Sequence, residues 1–339
     1  MDNLIYRGDT DELRIERNEM IVNDLSKIGY EQIIEMKDEN GRIHEFEEKE
    51  LRTLVKYHGS DEKIRVVLWE MFLGILKFNS TEEERKQQLL LLKNEYDEIK
   101  KRWNGKQPEE MDEQTKNRYK RNISIICKDV QRTDRDNILF KDLTSSTLKV
   151  MFDVLVSMSI TNKIGYGQGM SDIVALIIQI TYSEFEVFYL FQGILELIKE
   201  FYGEEGIISS DKMMNVGNII YVVDEEFGEY LNKNNITFEF IVKWLLMLFK
   251  REFNSKEVLR LWDSFISFPK DKLYLFLSAT ILIKNRVEIM NSQMRFDDLF
   301  IWTLKLEHKI PLQYIYDADN LLYEFKMKAT PEQQKRVFN

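Results

Sequence analysis

Two polar stretches of the chain stand out for the chemistry their residues could do. One is Ile126-Cys127-Lys128-Asp129-Val130-Gln131-Arg132-Thr133, and the other is Ile164-Gly165-Tyr166-Gly167-Gln168-Gly169-Met170-Ser171-Asp172. In the second, three alternating glycines let the backbone turn sharply while it presents side chains. An arginine brings a permanently charged, forked guanidinium that bonds two phosphate oxygens at once, where a lysine offers a point charge. A glutamine brings a donor and an acceptor on one amide, so it can hold a water molecule oriented without disturbing the charge balance. Offered from two neighbouring loops, Arg132 and Gln168 are the parts that GTP hydrolysis needs. Taken singly, Arg132 reads as a surface arginine, Gln168 as a turn residue and Asp129 as half of a local ion pair. Their joint occurrence, with Gly165, Gly167 and Gly169 allowing close backbone approach, points to a site.

The elements that must position these residues read as helices. The apolar run Leu148 to Ile160 between the two stretches predicts a buried helix that holds them in fixed relation. Only 14 glycines and four prolines punctuate the chain, and strict strand-like alternation is absent, so the fold class expected is all-α. At 339 residues it is either one large two-lobed helical domain or two closely packed domains. Helix starts are expected at Ser60, at the capping boxes Thr81-Glu84 and Ser183-Glu186, at about Glu113, and at Asn254-Glu257. Arg65, Trp69 and Leu73 share one helical face and read as scaffold, with Gly74 ending that helix. Phe240 to Phe249 predicts one very apolar helix. We expect an entry segment over residues 1–45, a helical domain over 46–330 and a frayed tail over 331–339.

Composition narrows the function. With 48 Lys and Arg against 58 Asp and Glu, the net charge of −10 disfavours a nucleic-acid surface. The single cysteine, Cys127, excludes an internal disulfide framework, and three scattered histidines show no metal-ligand spacing. These features fit a reduced, cytosolic compartment. Leu273 to Ile283 is too short an apolar run to span a bilayer, so any membrane association is expected to be peripheral, through a partner. No Gly-x-x-x-x-Gly-Lys-Ser/Thr loop is present to cradle phosphates, which argues against an independent GTP-binding enzyme.

The chain resembles the TBC-domain family of GTPase-activating proteins for Rab GTPases. Ile126, Asp129 and Arg132 match that family's Ile-x-x-Asp-x-x-Arg, and Tyr166 and Gln168 match its Tyr-x-Gln. Arg65-x-x-x-Trp69, Phe249-Lys250-Arg251-Glu252-Phe253 and Leu259-Arg260-Leu261-Trp262-Asp263 match on either side. Asn162-Lys163 stand where the family often has a proline. The resemblance implies a V-shaped, two-lobed helical domain that docks a GTP-bound Rab in its cleft and supplies two catalytic fingers, Arg132 and Gln168. It also implies that Asp129 orients basic groups near Arg132, that Tyr166 braces the glutamine loop and meets the partner, and that Gly167 and Gly169 give that loop room. GTP and Mg²⁺ would arrive with the Rab, and the chain would hold no cofactor or metal of its own. It would work in the cytoplasm, at endomembranes through its partner. The alternative is a Rab-binding helical scaffold that does not speed hydrolysis.

Overall fold

The computed structural model describes residues 27–203 and 207–339. Most of the expected entry segment therefore lies outside the described residues. Among these residues every regular element is helical, and extended pairing is limited to two isolated bridges, Ile28 with Ser60 and Tyr202 with Ile208. The first lobe contains helices Glu82–Lys101, Glu113–Arg132, Ser146–Thr161, Met170–Ile178 and Glu184–Ile198, and the second contains Met214–Val223, Glu225–Lys233, Leu273–Lys284, Tyr314–Lys328 and Pro331–Phe338. Helices Glu45–His58 and Arg65–Phe72 both pack on Ser255–Ser267. One continuous cluster of buried apolar side chains runs through all of these elements. No helix among the described residues is long and apolar enough to cross a membrane.

Ser146–Thr161 is the predicted positioning helix. Met151, Val154, Leu155, Val156, Met158 and Ile160 are all buried, and Glu113–Arg132 lies along it. A helix apolar on every side belongs in the middle of a protein. Its one buried carboxylate, Asp153, is matched by Lys100 at 2.7 Å and by Lys149. The capping boxes at Thr81 and Asn254 form as expected, each with the third helical residue's carboxylate returning to the cap amide.

Several expectations are corrected. Ser60 caps no helix: its N–H and hydroxyl both donate to Asp263, at 2.9 Å each. The buried Asp263 also accepts from Trp69 Nε1 at 2.8 Å and from Arg65 Nε at 3.2 Å and Nη2 at 3.3 Å, so five donors from the 60–69 segment converge on one carboxylate of Ser255–Ser267. Arg65 and Trp69 are both buried in this cluster, and neither lines the cleft described below. The Ser183 box does not form, because Glu186 accepts from the Thr181 hydroxyl instead. The apolar run 240–249 is not one helix. Helix Val242–Leu246 stops and the chain passes through Leu248 (φ 45°) and Phe249 (φ 61°), a left-handed pair held by the Phe249 N–H on the Trp244 carbonyl and by Trp262 Nε1 on the Leu248 carbonyl. Periodicity does not reveal such a reversal, since both residues remain in the core. The tail is not frayed: Thr330 caps helix Pro331–Phe338, Val337 is buried, and Phe338 packs on Phe276 and Phe325.

Candidate functional site

The arginine is carried on a helix, not a loop as its polar surroundings suggested. Asp112 caps helix Glu113–Arg132 through the Thr115 N–H, and no glycine or proline interrupts it before Arg132, its last residue. A cation there is favoured by the helix dipole. The i, i+3 spacing sets Asp129 beside it, with Arg132 Nη2 2.7 Å from Asp129 Oδ1. The Arg132 side chain nevertheless stays 63% exposed while that of Asp129 is 5% exposed. The guanidinium is therefore held on one side by Asp129 while most of the side chain stays exposed.

The glutamine stands on a tight loop between Ser146–Thr161 and Met170–Ile178. Asn162 Oδ1 accepts from the Gly165 N–H at 2.7 Å, which gives the turn its local anchor without a proline. Gly165 and Gly169 have φ of 74° and 96°, conformations that favour glycine, and Gly169 is the N-cap of Met170–Ile178. Gly167 is different: its φ is ordinary, but a Cβ there would lie 2.4 Å from Tyr202 Cε1. Between these glycines Gln168 is exposed, and its amide has no hydrogen-bond partner among the described residues.

The two carriers are cross-tied. Tyr166 OH donates to Asp129 Oδ2 at 2.7 Å, so one carboxylate serves both Arg132 and the glutamine loop. The Thr133 hydroxyl donates to the Asp129 carbonyl at 2.7 Å and lies 2.9 Å from the Ser171 hydroxyl. Tyr166 is only 4% exposed, and burial, reinforced by the Asp129 carboxylate, pushes its phenol well above the usual range. Its hydroxyl ties the glutamine loop to Asp129, and little of the residue reaches the surface.

Arg132 and Gln168 open onto one cleft of about 810 Å³ between the lobes. Asp129, residues 132–137, Gln168, Gly169, Ser171 and Asp172 form one wall, and Val242, Lys243, Met247, Lys250, Arg251 and Glu307 contribute to the other. Lys250 joins the walls: its ammonium lies 2.7 Å from Asp134 Oδ2 and 3.4 Å from Asp172 Oδ1, while Arg251 Nη2 meets Asp172 Oδ2 at 3.0 Å. Asp134 sits at φ 49°, a left-handed position that aspartate tolerates, which turns the chain immediately after Arg132. No role is expected from sequence for Thr133, Asp134, Ser171, Asp172 or Lys250. Only Asp172 carried a usable sign, as a carboxylate opening the otherwise apolar helix Met170–Ile178.

Against known proteins, residues 62–290 match the Rab-GTPase-TBC domain family. The chain is 27% identical over 297 residues to TBC1 domain family member 16 of Homo sapiens, covering 86% of this chain and 38% of that protein. It is also 27% identical over 293 residues to the GTPase-activating protein GYP7 of Candida glabrata, covering 79% of this chain and 39% of that one. The chain thus spans less than half the length of these curated relatives. Among solved structures, the Ypt/Rab-GAP domain of Gyp1p superposes with a TM-score of 0.68 at 21% identity, over 90% of this chain and 98% of that one. That likeness shows the all-α fold.

Proposed function

From the premise that the chain belongs to the Rab-GTPase-TBC domain family, we propose that it is a GTPase-activating protein supplying Arg132 and Gln168 to a GTP-bound Rab. The observation that carries this reading is the cross-tied pair of segments that brings both side chains to one cleft. Hydrolysis by a small GTPase is limited by charge spread over the transferred phosphoryl oxygens and by loose positioning of the attacking water. Arg132 meets the first need, with Asp129 holding the guanidinium's Nη2 and leaving its other donors for phosphate oxygens. Gln168 meets the second, replacing the GTPase's own glutamine, with its amide free to bond the water and the γ-phosphate together. GTP and Mg²⁺ belong to the partner, and the chain reaches a membrane only by docking to a Rab in the cytoplasm.

Single-turnover phosphate release tests this, using the intact chain or Gln168→Ala with a GTP-loaded Rab that keeps or lacks its own switch glutamine. The intact chain should stimulate both Rabs, and Gln168→Ala should stimulate neither well while still binding the GTP form, because positioning acts on the transition state more than on ground-state binding. Activity that tracked the Rab's glutamine and ignored Gln168 would remove the second finger. Rab binding without stimulation by the intact chain, across a Rab panel, would leave the scaffold.

A further inference from the structure

Gln168 stands between two glycines that are needed for different reasons. Gly169 is required by its own backbone, at φ 96°. Gly167 has no such requirement, and what excludes a side chain there is the ring of Tyr202: a Cβ would come within 2.4 Å of Cε1, 3.0 Å of Cδ1 and 3.4 Å of Cζ. Real Cβ atoms do not approach a ring so closely, so the loop lies directly on the aromatic ring.

Tyr202 is well fixed for this task. It follows the turn at Lys199–Phe201, its N–H donates to the Lys199 carbonyl at 3.1 Å, and it pairs across a bridge with Ile208, while the Ser209 N–H holds the Phe201 carbonyl at 2.8 Å. The side chain is 6% exposed, and its hydroxyl has no hydrogen-bond partner among the described residues. A buried, unpartnered hydroxyl adds nothing to local stability. What this position uses is therefore the flat, rigid ring. The Gly167 N–H also meets Met170 Sδ at 3.2 Å, so the backbone just before Gln168 touches a sulfur as well as the ring.

We propose that Tyr202 is a positioning residue for Gln168, its ring forming the seat that sets how far the glutamine projects into the cleft. This inference rests on the two-finger reading above and adds a residue outside both finger motifs. A misplacement of about 1 Å can cost on the order of a hundredfold in rate, so a seat of this kind is a means of holding the amide where the water must be.

The test uses the full chain and a GTP-loaded Rab that it stimulates. Tyr202→Leu should lower the single-turnover rate about tenfold, within the range expected of a sub-ångström shift, with little change in affinity for the GTP-bound Rab. Tyr202→Phe, which keeps the ring, should restore the rate. In the Gln168→Ala background Tyr202→Leu should have almost no further effect, because it acts only through Gln168. An equal fold-loss in both backgrounds would make Tyr202 a general structural residue and overturn the proposal, as would a full rate for Tyr202→Leu. If Gln168→Ala itself proved harmless, the two-finger reading would fail on its own account, and thermal unfolding would still read the seat. Gly167→Ala should lower Tm in the intact chain and by clearly less in Tyr202→Ala, whereas equal drops would show that the ring does not bear on Gly167.

Discussion

Asp129 divides its two carboxylate oxygens between Arg132 and the Tyr166 hydroxyl, and its substitutions should separate those duties. Asp129→Ala strands a buried phenol, which costs about 1–3 kcal/mol for an unsatisfied polar group, and also releases the guanidinium. Urea unfolding should show the first loss and phosphate release the second. Asp129→Asn keeps an acceptor for Tyr166 and should lose activity more than stability. Arg132→Lys should be nearly as damaging as Arg132→Ala, each costing about 10³ to 10⁵ in stimulated rate, because the fork goes although the charge stays. If Arg132→Lys kept more than a tenth of the rate, far less than that loss, Arg132 would not be the finger. Glu252 sets a pH dependence. Burial, with Glu307 nearby, pushes its carboxyl from the ordinary 4.5 up to about 7, while Arg251 and Lys243 pull the other way. Between those values the folded chain keeps a proton that the unfolded chain has released, so stability falls as pH rises through this window. Glu252→Gln should flatten that fall, a difference on the order of 3 kcal/mol at most, and equal slopes for the two chains from pH 5 to 8 would refute it. The pairing of Asp129 with Arg132 was legible because i, i+3 spacing makes it local to one helix. The burial of Tyr166 was not, since it depends on Asp129, 37 residues away in sequence.

Helix ends were read well wherever the cap is local and the partner residue has no better offer. Thr81 and Asn254 bond the residues three positions on, as their sequences indicate. At Ser183 the box does not form, with Thr181 taking both Glu186 and the Ser183 N–H, and Ser60 fails because Asp263, some two hundred residues later, collects its donors. Tertiary competition of this kind leaves no mark within a short window. It also makes Asp263 the joint between elements far apart in the chain. Asp263→Ala should cost about 3–5 kcal/mol, as breaking a buried charge pair does, measured as a lowered denaturant midpoint. The terminal helix is a second case where the local reading failed: Pro331–Phe338 is strongly charged, yet its Val337 and Phe338 reach the core. Deleting residues 331–339 should cost roughly 2–5 kcal/mol, the worth of burying one Val and part of one Phe; an unchanged Tm would mean the helix is dispensable.

On the scale of the whole molecule, the all-α class followed from composition and periodicity, whereas the cleft wall opposite Arg132 did not. That wall depends on the left-handed pair Leu248 and Phe249, which swings Lys250 back to Asp134 and Asp172, and no pattern in an apolar run announces such a bend. The contacts from Asp129 to Tyr166 and from Thr133 to Ser171 bear on the temperature dependence of the reaction. Under the proposed two-finger mechanism, these contacts set the separation of Arg132 and Gln168 before any partner arrives, so the disorder lost in bringing them into register is lost when the chain folds and not again at each encounter. Thr133→Val cuts one tie and leaves Arg132 and Gln168 chemically intact. In an Eyring plot of stimulated hydrolysis it should move the intercept toward a more negative activation entropy while leaving the slope, and with it the activation enthalpy, nearly unchanged.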